Sequence, residues 1–146
     1  MNFFKLKNVI NDVVSGELDK CLYNVERYKQ NCFFVIIYTN NEKYTSESGL
    51  LHNKLSNIIR QSDTAFSIDN NIEVLFYRET DYPGAYKAAQ KALHSIESFN
   101  SVSIGSIVQL KPNSDINELL HKNLQILNLL YKNKENCVQD EDYLHC

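Results

Sequence analysis

Apolar residues recur at helical spacing from Phe3 through Leu6, Ile10, Val13 and Val14, then again at Leu18, Leu22, Val25 and Tyr28. Ser15-Gly16 interrupts the stripe. The pattern therefore predicts two helices, the first extending away from the domain and the second packing on it. Cys32 to Tyr38 is an unbroken apolar, β-branched and aromatic run, which predicts a central strand covered on both faces. Thr39 to Ser48 is polar, and Leu50, Leu51, Leu55, Ile58 and Ile59 then give an amphipathic helix that delivers the chain to Arg60. A β-hairpin follows. Asp69-Asn70-Asn71 supplies residues that tolerate positive φ in a tight turn, and Ile72 to Tyr77 is rich in the residue types of a buried strand. Asp81-Tyr-Pro-Gly opens a further helix carrying Tyr86, Ala89, Leu93 and Ile96 on one face. Ser101 to Leu110 predicts a strand. A last helix, capped by Ser114 or Asp115, runs through Leu119, Leu120, Leu124, Leu127 and Leu130 to a short edge strand within Asn136 to Gln139.

The order helix, strand, helix, hairpin, helix, strand, helix, strand predicts an α+β fold, a central antiparallel sheet flanked by helices in the ferredoxin-like style. Residues 1–14 read as an amino-terminal helix or extension, 15–139 as the domain and 140–146 as a flexible tail. At 146 residues, 43% hydrophobic and 23% charged, the chain fits one globular core. Its formal net charge of -3 offers no basic surplus for nucleic acid, and no apolar run is long enough to span a membrane. Cys21, Cys32, Cys137 and Cys146 have no zinc-like spacing and read as free, mostly buried thiols of a cytoplasmic protein. The histidines suggest no metal centre, and no cofactor is expected.

Three stretches together resemble the GGDEF domains of diguanylate cyclases, over roughly Asp12 to Val138. Val102-Ser-Ile-Gly105 is similar to the family's strand motif V-S-I-G. Leu119 to Val138 follows without gaps its last helix and strand, L-L-x-x-A-D-x-A-L-Y-x-A-K-x-x-G-x-N-x-V. Asp12 to Lys20 resembles a worn form of D-x-L-T-G-L-x-N-R. The resemblance implies a nucleotide-cyclase palm whose hairpin tip and first strand carry the catalytic acids.

At those positions this chain departs from the family. Active members hold two magnesium ions with an Asp after the first strand and acids in the hairpin turn, because in-line attack on an α-phosphate needs charge neutralised on both oxygens. Here the first position falls on Tyr38, with Asn40 in place of the following acid. Gly-Gly-Asp-Glu-Phe falls on Ile68 or Asp69 through Ile72 or Glu73, a register open by one residue. Asp69 and Glu73 are acids in either register, with Asn70 and Asn71 between them, and an amide is a poorer magnesium ligand than a carboxylate. The two glycines that would let a phosphate approach are absent. The guanine-reading segment between first strand and next helix is shorter by about ten residues. Gly49 and His52 remain there, where a lone histidine on a helix reads as a surface or capped residue. The lysine that meets triphosphate in the family falls on Tyr131, and Lys132 is rotated from it by about 100°.

Arg60-Gln-Ser-Asp63 matches the R-x-x-D site by which many family members bind cyclic di-GMP. An Arg fork suits a phosphate or guanine edge, and an Asp accepts from guanine N–H groups. The same pair also suits a purely structural role, Arg60 closing a helix and Asp63 starting the turn into a strand. The family's second arginine is matched only by Lys87 or Lys91. The sequence thus predicts a catalytically inactive, GGDEF-like regulatory module that binds a protein partner or itself through its amino-terminal helix. The alternatives are a cyclic di-GMP receptor using Arg60 and Asp63, and a divergent nucleotide-using enzyme.

Overall fold

A computed structural model describes residues 1–145, so Cys146 lies outside the described residues. A short 3-10 turn, Phe3–Leu6, leads into α1 (Lys7–Tyr28), followed by β1 (Cys32–Thr39), α2 (Glu42–Thr45) and α3 (Leu50–Ser56). The hairpin strands β2 (Thr64–Asp69) and β3 (Ile72–Arg78) come next, then α4 (Tyr82–His94), β4 (Ser103–Gln109), α5 (Ile116–Asn133) and β5 (Val138–Gln139). The strand order is β2-β3-β1-β4-β5. The α+β class and the flanked sheet are as the pattern predicts. Four strands are antiparallel, while β5 joins β4 in parallel after the α5 crossover.

Every residue of β1 is buried, because helices cover both faces of the sheet. Alternation sends Phe34, Ile36 and Tyr38 towards α1 and α5, and Phe33, Val35 and Ile37 towards α3 and α4. Asp81 caps α4, accepting from Gly84 N at 2.8 Å. Asp115, rather than Ser114, caps α5, accepting from Asn117 N at 2.8 Å.

The structure corrects several expectations. There is no helix break at Ser15-Gly16, since α1 runs unbroken through both. A helical glycine costs about 1 kcal/mol. Each buried apolar side chain contributes about 2 kcal/mol, and Ile10, Val14, Leu18, Cys21 and Val25 form one continuous buried stripe that outweighs it. Nor does the amino terminus extend away: Phe3 and Ile10 are fully buried in the same core as β1 and α5. The hairpin turns at Asn70-Asn71 without any positive φ, and a register shift between Ser67 and Asp69 takes up the geometry instead. Where a flexible tail is expected, Glu141–His145 form a 3-10 turn, with Lys122 Nζ donating to Glu141 at 3.2 Å. A short helix, α2, forms within the polar stretch after β1, capped by Asn41.

Candidate functional site

The sheet has two chemically different ends. At the carboxyl end of β1, Tyr38 packs against Tyr131 of α5 and against Phe3, with ring centroids 6.0 Å and 5.0 Å away in edge-on geometry. Phe3 reaches Tyr131 in the same way at 5.9 Å, closing a three-ring cluster. The backbone fixes Phe3 there: its N–H donates to Asn128 Oδ1 at 2.8 Å, and the Asn2 side chain accepts from Phe4 N at 3.0 Å. Burial, aided by the neighbouring Tyr131, pushes the Tyr38 hydroxyl above its ordinary pKa, so it stays a neutral phenol. Lys132 is exposed beside a groove shared with Met1, Asn2 and Phe4.

The polar positions near this cluster are used internally. Asn40 Oδ1 accepts from Val102 N at 2.7 Å, and Asn40 N donates to the Val102 carbonyl at 3.0 Å, tying the end of β1 to the start of β4. Asp69 is exposed and accepts from Asn70 N at 2.8 Å. The Asn71 carbonyl accepts from Thr39 N at 3.1 Å. Glu73 lies opposite Ile37 in the β1–β3 ladder, so it points to the α3/α4 side while Tyr38 points to the α1/α5 side. There it is completely buried, bonded through Oε2 to Nδ1 of His52, with Oε1 unpartnered. Burial pushes its carboxyl pKa up, and His52 draws it part of the way back. Among the described residues no three His, Cys, Asp or Glu side chains cluster to hold a metal ion.

At the other end of the sheet, Arg60 and Asp63 meet. Arg60 N and Nε both donate to Asp63 Oδ2, and Nη2 donates to Oδ1, each at 3.1 Å. Arg78 N adds a fourth bond to Oδ1 at 3.1 Å, and Arg60 Nη2 also donates to the Arg78 carbonyl. Asp63 is buried, whereas the Arg60 side chain is 52% exposed. The pair borders a cleft of about 300 Å³ that Tyr77, Thr80 and Lys91 also line. Lys87, one turn earlier on α4, is exposed and does not line it.

No family model and no curated protein sequence matches the chain. Solved structures do. The GGDEF domain of TpbB (YfiN) from Pseudomonas aeruginosa superposes with a TM-score of 0.69 at 12% identity, covering 86% of each chain. That of DgcB from Caulobacter crescentus, solved with c-di-GMP, gives 0.66 at 9% identity over 88% of each. The active GGEEF domain of a diguanylate cyclase from Vibrio cholerae gives 0.64 at 13% identity, over 82% of this chain and 89% of that one. The fold is that of a GGDEF domain.

Tyr38 and Tyr131, the two tyrosines that the sequence resemblance sets at the first-strand acid and the last-helix lysine, do converge. Asp69 and Glu73 do not converge with them. Arg60, Asp63 and Lys91 come together; Lys87 stays outside. The partners of two residues central to this geometry escape a sequence reading, and His52 is not the surface or capped histidine expected but the partner of buried Glu73. Phe3 finds partners far away along the chain, and only the capping Asn2 ahead of it hints at an anchored start. His52 could have been sought from Glu73, since an acid inside an apolar strand needs a buried partner.

Proposed function

We propose that this chain is a catalytically silent GGDEF-fold domain, a regulatory and protein-interaction module of cytoplasmic bacterial signalling. The observation that carries the reading is the Phe3–Tyr38–Tyr131 cluster, which puts three packed rings where the resemblance places a metal-binding acid and a phosphate-binding lysine. The residues present do not fit a pair of magnesium ions. Magnesium at phosphate takes carboxylates and water; here a neutral buried phenol stands at the first position, the Asn40 oxygen is spent on Val102, and Glu73 faces the opposite side of the sheet. The protein partner in the structure of the SiaD cyclase from Pseudomonas aeruginosa with its activator SiaC is a precedent for a GGDEF-fold protein held by another protein. This chain superposes on SiaD with a TM-score of 0.67 at 8% identity, covering 86% of this chain and 55% of SiaD. Purified protein with GTP and Mg²⁺ or Mn²⁺ should yield no cyclic di-GMP. Product above a no-enzyme control, lost in Asp69→Asn or Glu73→Gln, would refute silence.

The cleft beside Arg60 favours a second reading, a cyclic di-GMP receptor. Asp63 is saturated by four protein donors, so ligand contacts would fall to the exposed part of Arg60 and to Lys91. Lysine gives up the bidentate geometry of an arginine, which weakens the site. Cyclic di-GMP at millimolar concentration should then raise the melting temperature, and Arg60→Ala should abolish the rise. No rise in the unmutated protein removes the receptor reading.

A further inference from the structure

Two buried thiols serve neither the silent-domain nor the receptor reading. Cys21 lies on the inner face of α1 and Cys32 opens β1, and both are enclosed in the same core cluster. Alternation along β1 turns Cys32 to the side of the sheet that α1 covers. The neighbours of the two sulfurs tie them into one group. Cys21 Sγ donates to Glu17 Oε1 at 3.9 Å, one turn back on α1; Glu17 forms an ion pair with Arg78; and Arg78 stands directly opposite Cys32 in the β1–β3 ladder. The ring of contacts closes where the Cys21 and Cys32 side chains hydrogen-bond to each other. That bond makes the thiols unequal. It pushes the Cys32 thiol up, with burial adding to the effect, and it draws the Cys21 thiol below its ordinary value although burial opposes it. Cys137 is different: it is half-buried, and Gln139 Nε2 rather than a thiol donates to its sulfur, at 3.7 Å.

We propose that Cys21 and Cys32 are a redox pair, a modification site at which a hydroperoxide closes a disulfide that clamps α1 to the first strand. The Cys21 thiolate attacks one peroxide oxygen; the O–O bond breaks and the hydroxide released takes up a proton to become water. The Cys32 sulfur then attacks the Cys21 sulfenic acid. The S–S bond forms, the S–O bond breaks, and the Cys32 proton leaves with the hydroxyl as a second water. Two electrons pass from the sulfurs to the peroxide, and a small dithiol returns them by thiol–disulfide exchange. Because both sulfurs are enclosed, the reagent enters when the last turns of α1 open, so the pair answers sustained oxidant rather than a brief pulse. Once closed, the bond spans the end of α1 and the turn at residues 29–31, and it removes freedom from the unfolded chain. Both sulfurs lie near the amino end of β1, away from Tyr38, so the proposal stands apart from the silent-domain reading.

Millimolar hydrogen peroxide applied to the full chain tests it, read by intact mass and by a tryptic digest without reductant. A Cys137→Ser/Cys146→Ser variant isolates the pair, and the unmutated chain should give the same link. The expected results are a loss of about 2 Da from the two thiol hydrogens and the peptides of residues 21–27 and 30–43 joined until dithiothreitol separates them. The oxidised form should melt about 5–10 °C higher than the reduced one. Cys32→Ser should show neither link nor rise, and its Cys21 should gain oxygen instead. Both thiols still open to alkylation once the treated protein is unfolded, a disulfide between chains, or oxygen gained without the cross-link would each overturn the pair.

Discussion

The two ends of this sheet carry opposite chemistry on one scaffold. At the carboxyl end of β1, positions that the resemblance assigns to charge are filled by Tyr38 and Tyr131, with Phe3 completing a packed aromatic cluster. At the other end, Arg60 and Asp63, which the resemblance matches to R-x-x-D, pair with each other next to an open cleft. The difference teaches that a motif match and a ligand site are separate matters. Asp63 is held so firmly by Arg60 and Arg78 that the pair has a sufficient structural reason to exist, closing the turn between α3 and β2 and tying it to the end of β3. Tyr38 and Tyr131 have a structural reason as well, and it is packing rather than charge.

The comparison can be broken at either end. Phe3→Ala should have the largest effect, a loss of about 3 kcal/mol on denaturant unfolding, because it opens a cavity between two rings in the fully buried core. A loss below about 0.5 kcal/mol would mean the cluster is not packed as described. Asp63→Ala should cost less, about 2 kcal/mol, by leaving the Arg60 and Arg78 backbone N–H groups unpaired while the exposed Arg60 side chain returns to water. Near-neutral behaviour would instead free Asp63 for a ligand role. Glu73→Gln should have the smallest effect and a distinctive pH signature. The folded protein holds the Glu73 proton more tightly than the unfolded chain, because burial raises the carboxyl pKa against the pull of His52. Its contribution to stability is therefore greatest below the ordinary carboxylate range and falls as pH rises towards the raised folded value. Glu73→Gln should flatten that fall, measured as the difference between the two proteins' stability curves; parallel curves would contradict the burial.

Much of this fold is legible from pattern alone. The unbroken run Cys32 to Tyr38 announces a doubly covered strand, and the hairpin and the capped last helix follow from local chemistry. Local rules mislead at Gly16, where the weak break signal is overruled by a buried stripe several turns long. They also mislead at Asn70-Asn71, where a register shift does the work expected of positive φ. The sites are harder to read, for a physical reason. Tyr38 and Tyr131 can be flagged by motif position, but that Phe3 seals them depends on tertiary contacts between the chain's start and its last helix. His52 and Glu73 are joined likewise only by the folding of α3 over β3.

Calorimetric titration with GTP and Mg²⁺ tests the central claim most directly, because it asks whether the aromatic end can admit a nucleotide at all. The account predicts no saturable heat for the unmutated protein, since the two positions that the resemblance assigns to metal and phosphate are a buried Tyr38 and a half-buried Tyr131 packed ring against ring. Saturable binding of GTP with magnesium, lost in Asp69→Asn or Glu73→Gln, would contradict it.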